Sequence, residues 1–254
     1  MARSPLRPAS PPAVLLAAAL LGAAGPAPAA PDCRTPASLT VTTRPLPHLA
    51  AALRPGGTLD VLALGSASLL GPRGDVAGSV PEHMVKALHA AVPGATIRLT
   101  LRAGRTESAE DMLAALEAEL PRHRYQLVLW QTGSVEALRR RPVPSFGRAL
   151  HDGIAAAAAS GADLVLIDMQ FSHLLQTHAD LAPYRAAMTD AALHPGVMLF
   201  PRYALTRAWA QEGAIDVEAV KRGERRAAAT RLRACLGTAL SRMLLDAVRT
   251  ARGP

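Results

Sequence analysis

The stretch Leu59-Asp60-Val61-Leu62-Ala63-Leu64-Gly65-Ser66-Ala67-Ser68-Leu69-Leu70-Gly71 decides how this chain folds. Of the six residues before Gly65, four are bulky and apolar and the others are Asp60 and Ala63; the run then breaks into small residues. A short, continuously apolar run that ends in Gly and Ser reads as a buried strand entering a tight turn. Four further runs of the same kind follow. Ala95 to Leu101 alternates as a strand, while Leu127–Trp130, Leu164–Ile167 and Val197–Phe200 are apolar throughout. Between them lie helical patterns: Pro81–Ala91, with Pro in its first turn; Ser108–Leu120; Ser145–Ala159, stopped by Ser160-Gly161; and Tyr184–Leu193. A long pattern over Arg226–Arg249 closes the chain, and a short helix is expected around His48 to Leu53.

Strands alternating with helices, most of them apolar on both faces, imply a parallel sheet covered on both sides. The expected fold is α/β, a three-layer α/β/α sandwich on about five strands. In such sheets ligands are met at the carboxyl ends of the strands. Those ends fall at Gly65-Ser66, near Arg102–Gly104, at Gln131–Gly133 and at Asp168–Gln170.

The first 29 residues read as a secretory signal. Arg3 and Arg7 form a basic start, Ala13–Ala24 is a short apolar run, and Ala27-Pro28-Ala29 suits cleavage. The run is too short to span a bilayer as a helix, and no later run is longer. Residues 30–58 form a Pro-rich N-terminal arm, and 59–250 a single domain. Cleavage before Ala30 removes Arg3 and Arg7 and no acid, so the formal charge falls from +8 to +6. Only Lys86 and Lys221 are lysines, so nearly all the positive charge is arginine. Basic clusters at Arg139-Arg140-Arg141 and from Lys221 to Arg233 read either as solvated faces or as contacts with an anionic polymer or headgroup. With aromatics at 3% and none interleaved with basic residues, nothing suggests stacked nucleic-acid bases. Cys33 and Cys235 are the only cysteines. In an exported chain an even count favours a disulfide; two buried thiols are the alternative.

Four segments resemble, in consistent order, the SGNH (GDSL-type) hydrolases, and in particular a bacterial exported branch. They are the Gly65 turn; Leu127-Val128-Leu129-Trp130-Gln131-Thr132-Gly133-Ser134-Val135-Glu136-Ala137; Gly161 to Phe171, with Asp168-Met169-Gln170-Phe171; and Leu199 to Trp209, with Phe200-Pro201-Arg202-Tyr203. Arg233-Ala234-Cys235-Leu236 is similar to a stretch near that branch's end. The resemblance implies acyl-ester hydrolysis: a serine attacks, a histidine before the last helix takes its proton, and a glycine and an asparagine help to hold the oxyanion.

Carried over position by position, that machinery is missing. The nucleophile position is Ala67, and the asparagine position is Val135. The histidine position is Ala227, with Glu224 where the orienting acid belongs, and no histidine follows His194. The second block keeps Gly104, within Arg102-Ala103-Gly104-Arg105. Loss of a triad serine or histidine costs on the order of 10⁶ in kcat in a well-studied protease, and loss of an oxyanion donor about 10²–10³. The expectation is therefore a degenerate site whose cleft, formed by Gly65, Ser66, Gly104, Gln131, Gly133, Asp168 and Gln170, binds an envelope glycan or serves a partner enzyme in the periplasm or outside the cell. The alternative is an active carbohydrate or lipid esterase with a rearranged site. Ser66 and Ser68 are then the replacement nucleophiles, and His173 or His178 the base. Asp168 also reads as a structural or capping carboxylate. Nothing in the sequence calls for a metal or a cofactor.

Overall fold

The structure is a computed structural model that describes Met1, residues 33–218 and residues 221–253. The expected signal segment and its cleavage site lie outside the described residues. Five strands, β1 (Thr58–Ser66), β2 (Thr96–Gly104), β3 (Leu127–Gln131), β4 (Asp163–Ile167) and β5 (Val197–Phe200), form one sheet in the order β2-β1-β3-β4-β5. Every pairing is parallel. The helices are α1 (Pro47–Ala52), α2 (Val80–Ala91), α3 (Ala109–Glu119), α4 (Ser134–Leu138), α5 (Val143–Ser160), α6 (His173–His178), α7 (Ala182–Ala191), α8 (Arg202–Gln211) and α9 (Arg222–Arg252).

Successive strand residues point to opposite faces, and two cores result. Leu59, Val61 and Ala63 of β1, Leu127 and Leu129 of β3, and Val165 and Ile167 of β4 join the core under α1, α2 and α9. Leu62 and Leu64, Val128 and Trp130, and Leu164 and Leu166 join the one under α3, α5 and α7. This is why the strands are apolar at every position. The edge strand β2 is only half covered, which accounts for Arg98 and Arg102 within it. Leu46, Leu49 and Leu53 are fully buried, so the segment ahead of β1 contributes to the first core.

Helix starts follow their caps. The Ser79 hydroxyl accepts the Glu82 amide at 3.1 Å to open α2, and Ser108 and Asp111 form a reciprocal capping box on α3. Gly161, left-handed at φ 75°, ends α5. Three helices were not expected from the sequence. The short α4 and α6 carry too few residues for a period to show, and α8 lies in a segment read for its motif. In α8 the buried Tyr203, Leu205, Thr206 and Trp209 face the core.

Cys33 and Cys235 form a disulfide with Cα atoms 5.3 Å apart, joining the start of the described chain to α9. Closing a loop of 202 residues is worth roughly 5 kcal/mol in the chain-entropy picture. Among the described residues no helix is long and apolar enough to cross a membrane.

Candidate functional site

The strand ends meet as topology requires. In the β1–β2 register Ser66 pairs with Gly104, and in β3–β4 Gln131 pairs with Ile167, one residue before Asp168. After Ser66 the chain makes a single 3-10 turn, Ala67–Leu69, with Ala67 and Ser68 exposed.

Gln131 organises this turn. It is 1% exposed, and its Oε1 accepts the Ser66 amide at 3.0 Å, the Ser66 hydroxyl at 3.0 Å and the Ser68 hydroxyl at 3.4 Å. The two serine oxygens are 3.0 Å apart. Gly65 makes room for this arrangement: a Cβ there would lie 2.9 Å from the Gln131 Oε1. Gly133 is required for a second reason. Its φ is +95°, and a Cβ would lie 2.7 Å from Met169 Cε. Its amide donates to Glu136 Oε2 at 2.9 Å, while Oε1 of the same buried carboxylate accepts the Ala109 amide at 2.5 Å. Glu136 thus ties the loop after β3 to the start of α3.

From the first residue of α8, just past β5, comes Arg202, 2% exposed. Its Nη1 donates to the Ser68 hydroxyl at 3.2 Å and its Nη2 to Gln170 Oε1 at 2.7 Å, while its buried Nε has no partner. Burial pushes its pKa down to about 10. The Arg233 charge acts in the same direction, and Asp168 opposes both. Arg233, on α9, donates Nε to the Leu70 carbonyl at 2.8 Å, just past the serine turn.

Asp168 is 2% exposed. Arg185 of α7 grips it through Nε, at 3.2 and 3.1 Å, and through Nη2 at 3.0 Å, while the Met169 amide donates at 2.7 Å. Burial raises its pKa, with Arg185 pulling the other way. Arg185 also stacks 3.9 Å above the Tyr203 ring, whose hydroxyl accepts Gln176 Nε2 at 2.7 Å. Beside this pair lies a groove of about 800 Å³, lined by residues of α6 and α7 together with Arg140 and Tyr203.

The structure therefore brings Gly65, Ser66, Ser68, Gly104, Gln131, Gly133, Asp168 and Gln170 to one edge of the sheet. Gln131 and Asp168 are spent inside the network, whereas Ser68 faces solvent. Val135 is half-buried on α4, and Ala227 is exposed on α9. Among the described residues no histidine is hydrogen-bonded to Ser66 or Ser68. His173 packs edge-on against Phe171, and His178 turns its Nδ1 to the Leu174 carbonyl and the Thr177 hydroxyl of its own helix. No three His, Cys, Asp or Glu residues among those described cluster as metal ligands. Arg185, Arg202, Arg233 and Glu136 are the site residues that sequence reasoning left without a role. Arg202, Glu136 and Arg233 lay inside quoted motifs that gave them no role, whereas Arg185 carried no signal of its own.

Several solved structures share this fold. They include a mutant of the acetyl-xylooligosaccharide esterase Axe2 from Geobacillus Stearmophilus (12% identity, 78% of this chain and 96% of that one, TM-score 0.57). TesA matches at 20% identity over 72% and 99% of the two chains, with a TM-score of 0.55. The psychrotrophic esterase EstA from Pseudoalteromonas sp. matches at 15% over 71% and 96%, with a TM-score of 0.51. At these identities the likeness shows the fold. No curated protein matches the sequence significantly. The family described as non-GDSL lipase-like matches residues 32–250, nearly all of the described chain, and the protein belongs to that family.

Proposed function

We propose that this is an exported protein whose strand-end site binds a ligand without hydrolysing it, acting on or in support of envelope glycans. The observation that carries this reading is what holds the two serines. Their oxygens engage Gln131 Oε1, each other and Arg202. An amide oxygen is far too weak a base to take a serine proton, and a guanidinium can only donate. Among the described residues none that could act as a general base, worth about 10²–10⁴ in rate, is hydrogen-bonded to either serine. With Ala67 and Val135 at the nucleophile and oxyanion positions, binding is the function left to the site. A saccharide is the ligand class we infer by analogy, since the Geobacillus enzyme of this fold is an acetyl-xylooligosaccharide esterase. The Cys33–Cys235 disulfide is compatible with export.

One observation favours a second reading. Ser68 is exposed and receives an Arg202 N–H, which would stabilise a serine alkoxide. The test is hydrolysis of short acyl esters and acetylated sugars by the purified protein, with Ser66→Ala and Ser68→Ala alongside. We expect no turnover above background. A rate near ~1 s⁻¹ that either substitution abolishes would establish the esterase instead.

A further inference from the structure

Arg202 is a buried cation whose direct partners are all neutral. A guanidinium has five N–H donors. Here two are assigned, to Ser68 Oγ and Gln170 Oε1, and Nε is buried without an acceptor among the described residues. Asp168 is the acidic group that acts on its charge, and Arg185 already grips both oxygens of that carboxylate. Arg233 adds a second positive charge close enough to act on Arg202. Arg185 and Arg202 thus share one carboxylate, and Arg233 adds to the positive charge that Arg202 meets. A buried charge without a paired counter-charge costs several kcal/mol, and neutral acceptors orient it without neutralising it.

The surface above Arg202 is suited to what is missing. Ser68 accepts from the guanidinium, and that polarises its own O–H into a stronger donor. Ser66 donates to Gln131 at 3.0 Å, and Ser68 reaches the same oxygen only at 3.4 Å, so a stronger acceptor above the turn can take the Ser68 proton from it. Arg233 borders the same turn through Leu70. A neutral sugar hydroxyl would not need this surplus of positive charge, but an oxyanion would.

We propose that the Ser66–Ser68 turn, backed by Arg202 and Arg233, is a binding site for an oxyanion, the carboxylate or the phosphate or sulfate group of an acidic ligand. The inference rests on the strand-end binding reading above and supplies the charge of its ligand. The oxygens of the anion accept from the Ser68 hydroxyl and take Arg202 and Arg233 as counter-charges. Arg202 stays in place, because Gln170 and Ser68 hold its fork.

Calorimetry on the full chain tests this with four probes: trigalacturonate, inorganic phosphate, inorganic sulfate and the neutral galactose trimer. We expect saturable binding of at least one anion, weakening as chloride is raised. The double substitution Ser66→Ala, Ser68→Ala and, separately, Arg233→Gln should each lower affinity about tenfold or more. Circular dichroism would show that these variants remain folded. Trigalacturonate binding alone assigns a carboxylated saccharide, whereas phosphate or sulfate binding alone supports the anion site and counts against a uronate ligand. Equal binding of the neutral trimer, lost in Ser66→Trp, would overturn the anion site and leave glycan binding standing. Saturable binding by none of the anions, or anion binding untouched by the serine substitutions, would overturn the proposal.

Discussion

Strand β4 begins on one buried aspartate and is followed directly by another, and its two ends are built in opposite ways. At the amino end Asp163, 1% exposed, accepts the Leu49 amide on Oδ2 at 2.8 Å and leaves Oδ1 without a partner. Burial there raises its pKa to about 6, against the pull of the Leu49 amide and of His48. At the carboxyl end Asp168 is as deeply buried but is gripped by a guanidinium and feeds a network across β4, α7 and α8. The first carboxylate pins α1 to the sheet with a single hydrogen bond. The second is gripped by Arg185 at the end of the sheet where the serine turn lies. Burial alone therefore does not mark a functional acid; the number and type of its partners does.

The sharpest way to break that contrast is to unpair Asp168. Arg185→Met leaves a buried carboxylate uncompensated, and we expect a loss of about 3–5 kcal/mol in urea unfolding. The double variant Arg185→Met, Asp168→Leu should recover most of it. A single variant as stable as the parent would show that the pair carries no weight.

Next in size is the pH dependence at the other end. The folded pKa of Asp163 lies above its unfolded value near 3.8, so the folded state holds the extra proton between the two. Its contribution is fully present below about pH 4 and is lost as pH rises through about 6. The expected change is on the order of 2–3 kcal/mol across that window. Asp163→Asn should flatten this part of the stability curve, as measured by chemical denaturation at a series of pH values. An unchanged slope would assign it to other groups.

The smallest expected effect is the most informative for function. Ala67→Ser restores a hydroxyl at an exposed position, and stability should move by no more than about 0.5 kcal/mol. Ester hydrolysis should remain at background, because no histidine among the described residues is hydrogen-bonded to the turn. Appreciable turnover in this variant would mean that a general base lies closer than the hydrogen bonding indicates.

Much of the architecture was legible beforehand, for a physical reason. Strands buried on both faces must be apolar at every position, and Leu127–Trp130 and Leu164–Ile167 announce themselves in that way. Helices such as α5 carry their own stop, because Gly161 can adopt a left-handed φ without strain. The 3-10 turn at Ala67 and the short helices α4 and α6 are held by partners distant in sequence or span too few residues for a period to show. Glu136, for example, stabilises the α4 start and α3 together across 27 positions.

At the site the division is equally physical. The sequence by itself determined the fold class, the strand ends that meet there and the absence of a serine at 67, an asparagine at 135 and any histidine after 194, since each follows from local pattern or from residue identity alone. It also narrowed the cysteine pairing to the only pair available. What only the tertiary structure decided is which groups face the two serines. Arg202 meets Ser68 across 134 positions, and Arg233 meets Leu70 across 163. Such contacts arise because a parallel sheet delivers distant strand ends to one edge, where side-chain length and burial select the partners. No local pattern records that choice.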